Sequence, residues 1–419
     1  MNTSNSSSTA NQSKFFFGWY VVGFTFIAQF VAMGTTFYAF GVLLKPLTEA
    51  LEVDRFTVSL ALSLQMAISA LVSPKVGRLI SDRPIRQLMG AGALAMAVGF
   101  FAMSQAQTFW QLCLAFGLLT GVAMALIGPL PNNTILANWF FQRRGMALGI
   151  SQFGVSISGT IMVPVTAFLV LEYGWRTAVG VFGFIPLVIL LPLILKFAIR
   201  TPEEVGLHQD GAASPPEEVL DENTDDWTIG RALRDSRVWK LVAILGPGFM
   251  SVGAVLAAMH SHATDIGLSV IQASTVVAMI TLFGALAKLL FGTLADYLNQ
   301  RLVMAIAIVS QVTGVALIIA SESYTGLLFS AVFFGLGYGA GLPMWSVLIV
   351  ALFGRKSFAK VMGIMSPMTM PFSLIGLPFA TYIYGISGSY IPAFSALLGL
   401  FAISLIALAL LRLPSERTS

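Results

Sequence analysis

The sequence predicts an all-α polytopic membrane protein, with 12 transmembrane helices in two pseudo-symmetric six-helix bundles. Three observations predict it. The 419 residues are 57% hydrophobic and only 10% charged, with a mean hydropathy of +0.84, whereas soluble domains carry about 25% charged residues. Twelve separate apolar stretches follow one another, each near the roughly 20 residues that a bilayer crossing needs. The two halves of the chain repeat at an offset of about 214 residues. This composition excludes a cytosolic enzyme, a nucleic-acid binder and a disordered chain. The single cysteine, Cys113, lies in an apolar stretch and excludes a disulfide framework or a Cys-based metal site.

The elements follow in order. Residues 1–15 are polar and Ser/Asn-rich and lack a basic stretch leading into a short apolar core, so they read as a disordered cytoplasmic tail and not a cleaved signal. The apolar stretches fall at about 16–44, 56–80, 88–106, 110–138, 145–171, 177–198, 238–262, 270–295, 302–321, 325–352, 358–384 and 391–412. Open β-structure leaves backbone groups unpaired in lipid, and these runs are too long for barrel strands, so each is a helix. The first six form an N-terminal bundle over 16–198 and the last six a C-terminal bundle over 238–412. Between them, 199–237 is a polar, acidic cytoplasmic linker that contains PPEEVLDENTDD. Its amphipathic end, WTIGRALRDSRVWK, is expected along the membrane surface. Residues 413–419 form a second cytoplasmic tail.

Lysine and arginine set the orientation. With the N-terminus inside, the inner loops hold Lys75, Arg78, Arg83 and Arg86, then Arg143 and Arg144, the linker cations, Arg301, and Arg355 with Lys356 and Lys360. The outer side holds only Lys45, Arg55 and Arg176. The basic pI near 9.2 is therefore a topology signal, and no nucleic-acid partner is expected.

The duplication shows at four places. Gly77 and Asp82 follow the second stretch as Gly292 and Asp296 follow the eighth. Phe140 with Arg143-Arg144 matches Phe353 with Arg355-Lys356, Gly174-Trp175-Arg176 matches Gly388-Ser389-Tyr390, and Pro131 matches Pro343. Two such halves, related by an axis along the membrane normal, place a substrate site between them near the bilayer midplane.

These residues carry a resemblance. GRLISDRPIR and GTLADYLNQR resemble the loop motif of the major facilitator superfamily. NWFFQRRGMALGI, EYGWRTA, TPEEVGLHQDG, GSYIPAF, FGWYVV and YAFGVLLKPL resemble its branch of monocarboxylate-transporter-like and oxalate/formate-antiporter-like proteins. The resemblance covers essentially the whole chain. It departs in places. Asp82 comes one position late after its glycine, Gly385 stands where relatives often carry Asp, and Lys288 replaces the usual Arg. Gly284 stands where animal monocarboxylate transporters carry an acid one turn before it.

Asp82 and Asp296 lie at cytoplasmic helix ends among cations. Each carboxylate can pair with Arg143 or Arg144, or sit at a neighbouring helix N-terminus, and so hold the halves together when the inside is closed. Arg301 belongs to the same set of gating charges. Otherwise these charges only fix topology.

Ionisable groups inside a membrane are costly and functional by default. All 19 acidic residues fall in loops or at helix ends. The cations within the spans are Lys288, Lys45 and His260. Lys288 lies about 12 Å from the cytoplasmic end of its helix, too deep to reach the headgroups easily. Its charge is balanced by a transient anion, or the amine is neutral while the site is empty. Lys45 either snorkels to the outer headgroups or, as the resemblance implies, accepts substrate or a proton. His260 titrates near neutral pH and is a candidate for proton coupling together with Lys288, whereas His262 reads as interfacial. Asn133, beside Asn132 and after the kink at Pro131, and Tyr338, among the glycines of GLGYGAGLP, complete the expected site. Tyr38, Tyr382, Tyr384 and Gln65 are weaker candidates for its wall. The flexing segment GIMSPMTMP carries soft methionines.

The expectation is a monomeric secondary transporter of small organic anions, chiefly monocarboxylates, working by alternating access with proton symport in the plasma membrane, a bacterial inner membrane. No phosphate-binding loop is present, no cofactor is needed, and no catalytic or metal cluster is visible. Anion exchange of the oxalate/formate type is the alternative, followed by export of hydrophobic compounds and, remotely, a non-transporting sensor.

Overall fold

The computed structural model describes residues 16–53, 55–212 and 227–411. Both expected tails and the acidic run of the linker lie outside the described residues.

Among the described residues, eleven helices are long and apolar enough to cross a membrane. The longest, Tyr324–Ser387, folds back at Gly354 (φ 76°, ψ 168°), so it holds two crossings and the total is twelve. Gly174 (φ 78°, ψ 159°) turns the chain in the same way inside Arg144–Ile185. Only glycine adopts these positive φ values without strain, which makes each a sharp stop between antiparallel neighbours. In chain order the helices are α1 (18–51), α2 (Arg55–Asp82), α3 (Ile85–Ser104), α4 (Phe109–Trp139), α5 (144–173) and α6 (175–197). The second half holds α7 (Ser236–Asp265), α8 (Val270–Tyr297), α9 (Gln300–Ala320), α10 (324–353), α11 (355–387) and α12 (Ile391–Ala409).

Two helices are locally rebuilt. A π-helical turn at Gly34–Tyr38 interrupts α1. In α4 the backbone leaves helical geometry at Gly128 (φ −79°, ψ −150°), just before Pro129 and Pro131. Proline has no N–H to offer the carbonyls one turn back. Asn132 supplies the missing donor: its Nδ2 donates to the carbonyls of Ile127 at 2.7 Å and Gly128 at 2.8 Å. Asn132 is thus the mender of a broken helix.

One end of the bundle carries the loops after α2, α4, α6, α8 and α10, the described parts of the linker, and the start of α1 and end of α12; we call it the linker face. There Phe17 packs on Trp139 (5.6 Å between ring centroids) and Phe197 (6.2 Å), and Trp139 donates to the Ile199 carbonyl at 2.9 Å. The expected amphipathic segment forms a short helix, Ile229–Arg234, started by Thr228. It docks on the C-terminal half through Trp227, which is buried edge-on against Phe353 at 4.9 Å and capped by Arg231. Ile229 and Leu233 remain exposed.

Lipid is as apolar as the side chains, so helices associate through close packing at small residues rather than by escaping water. Two crossings join the halves in this way. At α5–α8, a Cβ on Gly292 would lie 2.5 Å from the Gly145 carbonyl oxygen, and a Cβ on Gly149 would lie 2.5 Å from that of Lys288. At α2–α11, Gly77 abuts the Ala359 carbonyl, and a Cβ on Gly363 would lie 2.6 Å from the Ser73 carbonyl oxygen. The crossings are copies of each other. Gly77 corresponds to Gly292, Ala359 to Gly145, Gly363 to Gly149, and Ser73 to Lys288, each at the repeat offset.

Candidate functional site

That correspondence singles out Lys288. Its counterpart in the first half is a neutral serine, so the charge is an exception to the symmetry of the scaffold. Lys288 lies nine residues before the end of α8, about 13 Å from the linker face, and is 4% exposed. Its Nζ donates to Ser156 Oγ of α5 at 2.6 Å. Among the described residues it has no acidic partner. One hydroxyl satisfies one of three ammonium donors.

Two tyrosines flank this contact on the side away from the linker face. Tyr338 of α10 lies over Gly284, one turn before Lys288, so closely that a Cβ there would meet its ring and hydroxyl. Tyr38, placed by the π-helical turn of α1, lies over Gly159, one turn beyond Ser156, where a Cβ would sit 2.7 Å from its ring. The two phenols belong to opposite halves and are near enough to interact electrostatically. Gly284 therefore has a job: it makes room for Tyr338 where the acid of animal monocarboxylate transporters was missed.

Linker-side of Lys288, a buried chain of amides ties the halves together. Gln152 Nε2 donates to Asn133 Oδ1 at 3.0 Å, and Asn133 Nδ2 donates to Ser346 Oγ of α10 at 3.0 Å. Gln29 Nε2 donates to Ser151 Oγ at 2.8 Å alongside. Asn133 was expected to hold substrate. Both ends of its amide are instead engaged in closing the bundle, because the break at Gly128 swings this stretch of α4 towards α10.

At the linker face the expected gating set divides. Asp296 caps the start of α5, accepting from the Gly145 N–H at 2.5 Å and the Met146 N–H at 2.8 Å, with Arg144 in electrostatic reach. A carboxylate at a helix N-terminus satisfies orphan donors and complements the helix dipole. Asp82 does not repeat this. It is exposed and makes no hydrogen bond or ion pair among the described residues. Its extra residue of spacing turns it about 100° around the helix, and Ser81 stands at the capping position. Arg143 and Arg144 form no guanidinium clamp on Asp82. Arg143 gives its backbone N–H to Asp210 at 3.4 Å, and Arg144 Nε donates to the Phe140 carbonyl at 3.0 Å. Arg301 acts within the C-terminal half, donating to the Ala409 carbonyl at the end of α12 at 2.5 Å.

Arg355 also bridges the halves here. It donates to Asn138 Oδ1 at 3.2 Å and to Glu203 Oε2 of the linker at 3.0 Å. Burial pushes the Glu203 carboxyl up, but the hydrogen bonds from Arg355, its own backbone and Thr201, with the Arg355 charge, together outweigh this and hold it below the ordinary carboxylate range. Asp210 of the linker accepts from the Phe141 and Gln142 N–H groups at 2.8 and 2.7 Å, and buried Gln209 donates to the Asn138 carbonyl at 2.9 Å.

The remaining candidates with described side chains are placed as follows. Tyr382 is 68% exposed near the far end of α11. Tyr384 stacks on Tyr390 at 4.4 Å. His262, expected at the interface, is buried edge-on against Phe394 at 5.5 Å because α12 presents an aromatic pocket to α7. Gln65 is buried in α2. The side chains of Lys45 and His260 lie outside the described residues.

The profile of the Major Facilitator Superfamily matches residues 25–284 and 246–419, together almost the whole chain. The chain belongs to the Major Facilitator Superfamily.

Relatives and neighbours in fold agree with this membership. Monocarboxylate transporter 13 of Rattus norvegicus is 25% identical over 381 residues, covering 90% of this chain and 85% of that protein. Monocarboxylate transporter 11 of Homo sapiens is 26% identical, covering 90% and 79%. The uncharacterized MFS-type transporter YcxA of Bacillus subtilis (strain 168) is 24% identical over 83% of each chain. In fold, the chain matches the human organic anion transporter MFSD10 (TETRAN) with a TM-score of 0.70 at 17% identity, over 93% of this chain and 99% of that one. It also matches the superfamily transporter FucP, solved in the outward conformation, with a TM-score of 0.68 at 13% identity and the same coverage. Within the superfamily fold, Ser156, Gln152, Ser346 and Arg355 escaped the sequence reading as site residues. A single hydroxyl or amide in an apolar helix carries no mark of the face it occupies, although Ser346 could have been found as the repeat partner of Asn133.

Proposed function

We propose that this superfamily member is a secondary active transporter of small organic anions, chiefly monocarboxylates, working by alternating access. One observation carries the reading: Lys288 is a buried ammonium at the seam between the halves, held by a hydroxyl and lacking a carboxylate. A carboxylate substrate would supply the missing counter-charge. The names of the relatives support this substrate class.

The cation count of the linker face supports its assignment to the cytoplasm, with both termini on that side; the membrane expected is a plasma membrane, a bacterial inner membrane. The crossings, the Asn133–Ser346 bond and the Asp296 cap close that side. Tyr38 and Tyr338 then stand on the outer side of Lys288 as the walls that an anion would pass. Arrival of R–COO⁻ draws Lys288 off Ser156, which weakens the α5–α8 seam and permits the halves to rock. A proton carried with the anion leaves the loaded carrier without net change in charge, hence proton symport, with His260 and Lys45 as further candidates for handling it. Exchange is the second reading. It is favoured because, among the described residues, no carboxylate pairs with Lys288 that could hold a proton through the empty return step.

The test is uptake of labelled organic acids into proteoliposomes with and without an inward pH gradient. Gradient-driven accumulation supports symport. Uptake only against internal anion identifies exchange, and no uptake of any organic acid ends the proposal.

A further inference from the structure

Trp345 carries a hydrogen-bond donor that nothing uses. Its indole Nε1 is fully enclosed and has no partner, and the residue is 9% exposed. Indole is donor-only, so no rotation or tautomer removes the deficit. Buried donors are nearly always satisfied, and an exception asks for a ligand or a function.

Its place in the fold gives the direction. Trp345 is seven residues beyond Tyr338, two turns along α10, and so on the same face. That is the face on which Tyr338 meets Gly284. α8 and α10 run the same way and touch where a Cβ on Gly339 would lie 2.7 Å from the Ala287 Cβ. From that crossing Lys288 lies one residue past Ala287, and Trp345 six past Gly339, so the backbone of Trp345 is about 7.5 Å nearer the linker face than that of Lys288. The ring is braced edge-on by Phe249 of α7 at 5.6 Å. Trp345 thus stands on the Tyr338 face of α10, linker-side of Lys288, with one enclosed and unused donor.

We propose that Trp345 is a substrate-binding residue that selects carboxylates bearing a second acceptor oxygen, its N–H receiving that oxygen while Lys288 holds the carboxylate. This rests on the transporter reading above. A site built to donate to a substrate oxygen discriminates against an analogue lacking it, because the donor is then left unpaired.

The experiment compares matched acids on the full-length protein in proteoliposomes: pyruvate against propionate, and phenylglyoxylate against phenylacetate. Trp345→Phe keeps an aromatic ring and deletes only the N–H. The wild type should prefer the oxygenated member of each pair. The variant should lose about tenfold of that preference, through a raised KM for the oxygenated acid, with uptake of propionate and phenylacetate within twofold of wild type. An unchanged preference, or equal losses for both members, overturns the assignment of Trp345 while leaving the transporter reading standing. Absence of uptake of all four acids by the wild type overturns the inference, and the transporter reading falls with it only if no other organic acid is taken up.

Discussion

Lys288 Nζ and Ser156 Oγ, 2.6 Å apart, form a bond between the two halves of the molecule at its most deeply buried charge. The same ammonium is thus both the candidate anion site and part of the seam. Substrate affinity and conformation are therefore linked through one side chain. An anion that takes the lysine from the serine has differential affinity for the two states, which is what a ligand needs in order to shift an equilibrium.

Lys288→Ala should abolish carboxylate uptake, by at least 100-fold, while the protein still inserts and elutes as a folded species. Ser156→Ala should separate the two roles. It leaves the lysine in place, removes a charge-assisted bond worth about 1.5–3 kcal/mol, and shifts the protein towards opening on the linker face. Distance measurements between spin labels across that face, in a Cys113→Ser background, check this. Normal uptake by the alanine variant at 288 would remove the lysine from the site.

Gly284→Ala should be damaging out of proportion to its size, because the new methyl meets the Tyr338 ring. Overpacking of this kind costs about 1–3 kcal/mol. Thermal stability should fall and uptake drop at least tenfold. Adding Tyr338→Ala should restore the melting temperature but not the uptake, since the ring is needed as a wall.

Asn133→Ala should weaken the linker-side closure. Loss of a neutral hydrogen bond worth about 1 kcal/mol corresponds to a fivefold shift in the ratio of the two conformations. Ser346→Ala should shift it by a similar factor, and the double variant by no more than the larger single effect, because both remove the same bond between the halves, the Gln152 bond also lost with Asn133 lying within one half. The same label distances report all three.

The Glu203–Arg355 contact predicts a pH signature. The folded carboxyl is held below its ordinary value, so its contribution is complete above the unfolded pKa of about 4.3. It is lost as pH falls through the depressed folded value. The Glu203 side chain is 48% exposed, and a pair this open to water contributes at most about 1 kcal/mol. The melting temperature of Glu203→Gln should lie slightly below wild type at pH 7, and the gap should close under acid conditions and in high salt.

The twelve crossings were legible because each is a run of apolar residues bounded by charge, and the repeat because glycines and basic pairs recur at one offset. Gly174 was readable as a turn, and it turns with the positive φ that only glycine takes freely. Lys288 was visible as the lone deep cation. The partners of these residues were not visible. Ser156 is 132 positions from Lys288, and Ser346 is 213 from Asn133. Nothing local tells a serine facing the seam from one facing lipid. Of the two places expected for the loop carboxylates, Asp296 takes the helix N-terminus, with Arg144 in electrostatic reach. One residue of extra spacing rotates Asp82 off the neighbouring helix.

Asn133 and Ser346 deserve a last comparison with symmetric dimers. On a two-fold axis a residue can only meet its own copy, so the contact in a homodimer must be self-complementary. Asn133 and Ser346 are repeat partners to within a residue, and their contact lies on the pseudo-axis of this chain. Joining the two copies into one polypeptide freed them to differ, and the amide became the donor and the hydroxyl the acceptor. The central fastening of the bundle is therefore directional, a property that two identical subunits could not have given it.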